Sequence, residues 1–78
     1  MVNTAKQPLT TKESEVYTFI LKFRHDMRFS PSMREITHAL GLSSVSTVHK
    51  YIHTLIDKGW LMPIDGVNRK LVPVDELG

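Results

Sequence analysis

Twice in its first half the chain sets a hydroxyl residue three positions ahead of a glutamate and then continues with apolar residues three and four apart: Thr10 with Glu13, and Ser32 with Glu35. In that spacing the hydroxyl accepts from a free backbone N–H at a helix start, and the carboxylate accepts from the N–H of the capping residue. Each pair therefore marks where a helix begins. Ser44 supplies a third start, Gly41 stands where a left-handed C-terminal cap is wanted, and Gly59 ends the third helix. This punctuation leaves room for three short helices.

The first helix carries Val16, Phe19, Ile20 and Phe23 at the spacing of a core-facing stripe, with Lys12, Glu15, Lys22 and Asp26 outside it, and should stop near Asp26. Met27 to Ser32 reads as a connector, because the residue before Pro31 is pushed out of helical geometry. The second helix, about two turns long, offers Ile36, Ala39 and Leu40. The third turns Val48, Tyr51, Ile52, Leu55 and Ile56 inward. A short helix, a glycine-containing turn and a second amphipathic helix form the helix-turn-helix pattern, whose second member is free to present its outer face.

Beyond Gly59 the pattern changes to WLMPI, DGVNRK and LVPV, two apolar runs around an Asp-Gly turn signal, which predicts a β-hairpin. Pro63 and Pro73 remove ladder donors, so the ribbon should pair on one side only. Such a ribbon is unstable alone and has to pack on the helices, which gives Trp60, Leu61 and Leu71 a core role. The expected fold is mainly α with a small β-hairpin: a winged helix-turn-helix of three helices and a two-stranded antiparallel wing. Residues 1–8 read as a flexible N-terminal tail, 9–74 as the domain, and 75–78 as its C-terminal end or the start of a linker.

At 78 residues there is room for one domain and one simple site. The chain has no cysteine, which excludes a disulfide framework, a thiolate zinc site and a cysteine nucleophile. No apolar run approaches the roughly 20 residues of a membrane span, and the opening MVNTAKQP lacks the apolar stretch of a signal peptide. A reducing cytoplasm is the expected compartment. The formal net charge of +2 points only mildly to an anionic partner, so the placement of the charges carries more information than their sum.

The sequence LT before the first helix, SPSMREI at Ser30 to Ile36, GLSSVSTVHKYI at Gly41 to Ile52, and L-x-x-KGW at Leu55 to Trp60 together resemble, in order and spacing, the N-terminal DNA-binding domain of the LexA-type SOS repressors. The resemblance covers Leu9 to Val74, and PSMREI with STVHKYI is its specific part. It implies that the third helix enters the major groove with Ser44, Ser46, Thr47, His49 and Lys50 at base-facing positions, and that the hairpin loop is a wing along the backbone. LexA repressors continue into a C-terminal serine–lysine peptidase domain that self-cleaves and dimerises. A chain ending at Gly78 leaves no room for it, so cleavage, induction and dimerisation are not carried over. Members of the family differ at the positions matching His49 and Lys50, so the operator sequence is not carried over either.

The residues can also be read without the resemblance. His49 and His53 lie four apart on a helix, but zinc takes three or four protein ligands, and neither cysteine nor a convergent carboxylate accompanies the pair. A zinc peptidase motif would have Glu where Lys50 stands. No metal and no cofactor are expected. On a helical wheel Ser46, His49, Lys50 and His53 fall away from the inward stripe, which leaves them as groove contacts or as plain surface residues. For contact, small hydroxyls allow close approach. Lys50 reaches guanine acceptors or phosphate, and His49 donates or accepts at a base edge, each good base pairing being worth about 1–3 kcal/mol of discrimination. His53, one turn later, falls at the backbone or has no task.

Asn68, Arg69 and Lys70 put two cations beside the hairpin turn, suited to sugar–phosphate or minor-groove contact, with solvated turn charge as the alternative. Arg24, Arg28 and Arg34 cluster around the connector, and of these Arg34 is taken as a backbone contact. Phe19, Phe23, Phe29 and Trp60 read as core rather than as a stacking platform for single strands. A serine–lysine catalytic pair needs a buried lysine beside the hydroxyl, whereas Lys50 and Lys58 fall on polar helix faces, so no enzyme is expected.

The resulting expectation is a sequence-specific repressor that binds double-stranded DNA, either a portion of a larger LexA-like protein or a small regulator from a phage or mobile element. It would pair as a homodimer on a palindromic site, with nucleoid association and with neither membrane nor small-molecule partner. The rival is a winged-helix module that docks on another regulator through its third helix.

Overall fold

The computed structural model describes residues 7–62 and 71–74. Three helices follow one another: α1 Thr11–Met27, α2 Met33–Ala39 and α3 Val45–Asp57. Both capping boxes are closed. The Thr10 N–H donates to Glu13 Oε1 at 2.9 Å while the Glu13 N–H donates to Thr10 Oγ1 at 3.3 Å. The Ser32 N–H donates to Glu35 Oε1 at 2.7 Å and the Glu35 N–H to Ser32 Oγ at 3.0 Å.

The two glycines stop their helices by one device. At Gly41, with φ +64°, the N–H donates to the His38 carbonyl at 3.3 Å and the next N–H, of Leu42, to the Thr37 carbonyl at 3.0 Å. At Gly59, with φ +88°, the N–H donates to Ile56 at 3.1 Å and that of Trp60 to Leu55 at 2.9 Å. These are the paired bonds of a Schellman motif, which needs a left-handed residue at its corner. Helix α1 runs one residue past the expected stop and ends on Arg28 at φ +68°, whose N–H donates to the Arg24 carbonyl at 2.9 Å. An arginine gives no sequence signal for a left-handed cap.

The core joins Val16, Tyr17 and Ile20 of α1, Ile36 of α2, and Val48, Ile52 and Leu55 of α3 to Leu61 and Leu71. The inward edge of α1 is therefore rotated from the predicted stripe. Tyr17 is buried, while Phe19 and Phe23 are half-buried. Tyr17 has a partner for its ring, Trp60, met edge-on at 5.2 Å between centroids. Such a contact is favourable beyond its area because a ring edge carries positive charge and a ring face negative. Phe29, expected in the core, is 58% exposed; it follows the left-handed turn at Arg28 and meets Phe23 edge-on at 5.4 Å. Ala39 is exposed, and α2 packs inward through Ile36 with Leu40 half-buried.

Of the stretch predicted as a hairpin, the described residues are 60–62 and 71–74. Leu61 and Pro73 form an isolated antiparallel bridge, flanked by Met62 N–H to Val72 carbonyl at 2.9 Å and Val74 N–H to Trp60 carbonyl at 3.0 Å. Leu61 and Pro73 are thus a non-hydrogen-bonded pair, so the missing N–H of Pro73 takes nothing from the pairing. No strand is present among the described residues, and a two-stranded wing is not established by them. Pro63 and the predicted turn lie outside the described residues.

At the other end, Gln7 and Pro8, assigned from sequence to the tail, are joined to the end of α3. The Gln7 N–H donates to the Lys58 carbonyl at 3.1 Å, and the Trp60 indole N–H donates to the Gln7 carbonyl at 2.7 Å. The Lys58 ammonium donates to the Pro8 carbonyl at 3.0 Å. These bonds fix Gln7 and Pro8 against the end of the helix that carries the candidate site.

Candidate functional site

Helix α3 has two chemically distinct faces. Val48, Ile52 and Leu55 are buried at 0–1% exposure, with Tyr51 and Ile56 half-buried beside them. The opposite face exposes Ser46, His49, Lys50 and His53. Because the apolar stripe is locked into the core, the orientation of the polar face is fixed by packing rather than by its own contacts.

At the start of α3, Ser44 is the N-cap by backbone geometry, yet its side chain makes no capping hydrogen bond. Its Oγ lies 3.4 Å from Thr47 Oγ1. The expectation that the Ser44 hydroxyl caps the helix is therefore corrected. The two earlier helices carry Glu at the third position, long enough to reach back to the cap N–H; here that position is Thr47, too short to close the box. The result is a pair of hydroxyls at the helix start, Ser44 exposed and Thr47 half-buried.

The three arginines differ in setting. Arg34, in the first turn of α2, and Arg28, at the end of α1, are exposed. Arg24 instead donates from its guanidinium to Ser30 Oγ, and Ser30 Oγ donates to the Leu71 carbonyl at 3.2 Å. Asn68, Arg69 and Lys70 lie outside the described residues. Among the described residues no three His, Asp or Glu side chains converge to hold a metal ion. Lys58, which the sequence placed on a polar face, is half-buried, its ammonium 2.6 Å from Glu13 Oε1.

The sequence that builds this arrangement, a locked helix with a small-hydroxyl start and a polar, partly basic outer face, matches a family model. The family model of the LexA DNA binding domain matches residues 6–70. The chain belongs to this family. A LexA repressor from Ruminiclostridium cellulolyticum is 44% identical over 52 residues, 67% of this chain and 24% of the relative. One from Koribacter versatilis is 45% identical over 53 residues, 68% of this chain and 25% of the relative. A third, from Desulfatibacillum aliphaticivorans, is 36% identical over 63 residues, 81% of this chain and 31% of the relative. The chain thus spans roughly a quarter to a third of the curated relatives it matches.

Within this LexA-type domain, reasoning from sequence missed the Arg24–Ser30–Leu71 chain and the Glu13–Lys58 pair. Ser30 was legible only as a residue before proline. The separation of 41 positions between Ser30 and Leu71 leaves no periodic signal. Glu13 was legible as a capping residue, and it is: the same Oε1 accepts from both the Thr10 N–H and Lys58. Nothing in the capping-box spacing marks that second use.

Proposed function

We propose that the chain is a sequence-specific, double-stranded-DNA-binding transcriptional repressor that reads the major groove with the outer face of α3. The observation that carries this reading is that face itself: Ser46, His49, Lys50 and His53 in solvent on a helix whose other side is buried, in a chain of the LexA DNA-binding family. Free N–H groups at a helix start attract phosphate, and small side chains there permit close approach to the groove. Ser44, Ser46, Thr47, His49 and Lys50 are assigned to base edges and His53 to the backbone. Arg34 and the wing residues Asn68, Arg69 and Lys70 are assigned to phosphates.

The rest of the reading follows from scale. A single module of this kind buries about 600–1,000 Å² on DNA, so firm operator binding calls for two copies on half-sites about one helical turn apart, that is, a palindrome. The pairing at Leu61 and Pro73 supports a two-stranded wing that continues beyond it. The proposal places the protein in the cytoplasm on the nucleoid, in SOS or phage regulation, and without enzymatic activity of this domain. The polar outer face of α3 weighs against a protein-docking role, since interface cores favour aromatic and aliphatic anchors.

The test is selection from random duplex DNA at fixed salt, with a Ser46→Ala, Lys50→Ala double variant alongside. Recovery of a motif that the variant loses supports the reading and gives the operator and its symmetry. No enrichment by the wild-type chain at any salt sinks it.

A further inference from the structure

Among the described residues Arg28 is the one residue other than glycine with a positive φ, at +68°. That conformation sets the Cβ of an L side chain against the following carbonyl oxygen, which is why glycine, and after it asparagine, is the usual choice at such a cap. Strain of this kind persists only where the surrounding structure imposes it, and it concentrates where a side chain is used. Here Arg24 imposes it. The Arg24 carbonyl accepts from the Arg28 N–H at 2.9 Å, and the Arg24 guanidinium donates to Ser30 Oγ, two residues further on. One residue thus holds the chain both at Arg28 and just beyond it.

Nothing within the described residues uses the side chain so held. Arg28 is exposed, and among the described residues its guanidinium has neither a hydrogen-bond nor an ion-pair partner. Glycine would close the same cap with less strain, so the cap does not account for the arginine. A guanidinium carries a permanent charge and a planar fork of donors that matches carboxylate or phosphate. Rooted in a fixed backbone and left without a partner, it is suited to an anion outside the chain.

The position of Arg28 indicates which anion. It ends α1, Pro31 is buried and Ser32 caps α2, so the chain passes from Arg28 into the first helix of the helix-turn-helix pair within a few residues. When such a pair docks, its second helix lies in the major groove and its first crosses the sugar–phosphate backbone. Residues that lead into α2 then approach phosphates, and Arg34, in the first turn of α2, is already assigned to one.

We infer that Arg28 is a phosphate-contacting residue, a second cation with Arg34 on the approach to α2, and that its left-handed backbone is the stability given up to aim it there. This role rests on the proposed DNA reading.

The test uses the whole 78-residue chain and a random-sequence duplex of about 30 base pairs, long enough for at least one module. The slope of log K against log salt counts phosphates at about 0.9 each. Four variants separate charge from backbone. Arg28→Gly removes the cation and relieves the strain, Arg28→Ala removes the cation and keeps the strain, and Arg28→Lys keeps both charge and strain. Lys12→Ala removes an exposed cation from the other end of α1, where its ammonium lies 3.7 Å from Glu15 Oε1. Arg28→Gly and Arg28→Ala should each lower the magnitude of the slope by about 0.9, although the glycine variant is the more stable protein. Arg28→Lys and Lys12→Ala should leave it near the wild-type value.

A wild-type slope that Arg28→Gly and Arg28→Ala both leave unchanged overturns the contact and leaves the DNA reading standing. A loss with glycine but not with alanine traces the effect to the backbone and overturns the contact as well. So does a Lys12→Ala loss as large as that of Arg28→Gly, because the slope then follows net charge. Absence of salt-dependent binding by the wild type overturns the DNA reading itself, and the Arg28 contact with it.

Discussion

Glu13 and Lys58 meet at 2.6 Å, joining the first turn of α1 to the residue that ends α3. The same carboxylate oxygen closes the capping box of α1, so one side chain sets the start of the first helix and clasps it to the end of the third. The Lys58 hydrogen bond, followed by the backbone hydrogen bond from Thr10, lowers the Glu13 pKa, against a smaller opposing effect of desolvation.

A folded-state pKa below the unfolded one means that the charged carboxylate stabilises the fold. That stability is fully present above the ordinary glutamate value and is lost as pH falls through the lowered, folded-state value. Glu13→Gln keeps a side chain that can close the capping box while removing the charge. The variant should melt below the wild type at neutral pH, and the two melting curves should converge as the solution is acidified. A gap that stays constant across an acid titration would show that the Glu13 charge is not linked to folding.

The three helix starts look alike in sequence and should behave differently when truncated. Ser32→Ala removes a hydroxyl that accepts at 3.0 Å from the Glu35 N–H, and should cost about 0.5–2 kcal/mol in chemical denaturation. Ser44→Ala removes a hydroxyl that caps nothing, and should stay within about 0.5 kcal/mol of the wild type. The contrast makes Ser44→Ala a clean variant for binding work. An equal loss at both positions would mean that Ser44 caps in solution.

Gly41 and Arg28 hold nearly the same left-handed backbone, at φ +64° and +68°. A side chain in that conformation costs about 1–2 kcal/mol, from its Cβ against the following carbonyl oxygen. A Cβ on Gly41 would meet nothing within 4 Å, so the loss expected for Gly41→Ala is this backbone cost without a packing clash. Arg28→Gly should run the other way and gain up to about 1 kcal/mol, the relief being offset in part by the added freedom of glycine in the unfolded chain. Urea midpoints of the two variants check the opposite signs.

How much of this was legible follows from the range over which each signal acts. Capping pairs, glycine stops and the apolar stripe of α3 are local, three to five residues wide, and they located every helix start and two of the three ends. The third end, expected near Asp26, falls at Met27, and what closes it, the left-handed Arg28, carries no glycine to mark it. Tyr17 was overlooked because its ring meets Trp60, which no period links to it. The outward faces of Ser46, His49, Lys50 and His53 could be read because they complement a stripe that could be read. The ties from Glu13 to Lys58, Gln7 to Trp60 and Ser30 to Leu71 span 41 to 53 positions, and they become visible only when the chain is folded.

The outer face of α3 makes the last prediction, because its members should differ in kind as well as in degree. Lys50 sits one turn from the hydroxyl start and His53 a further turn along; the proposed reading assigns the first to bases and the second to the backbone. If Lys50 reads a base, Lys50→Ala should cost about 1–3 kcal/mol on the selected motif and far less on random duplex, flattening the preference at one base pair. His53→Ala should weaken both duplexes by a similar factor and leave the motif unchanged, as loss of a backbone contact does. Competition titrations with the selected and the random duplex at a single salt concentration separate the two patterns. A Lys50→Ala loss equal on both duplexes would move Lys50 from the bases to the phosphates and leave recognition to Ser44, Ser46, Thr47 and His49.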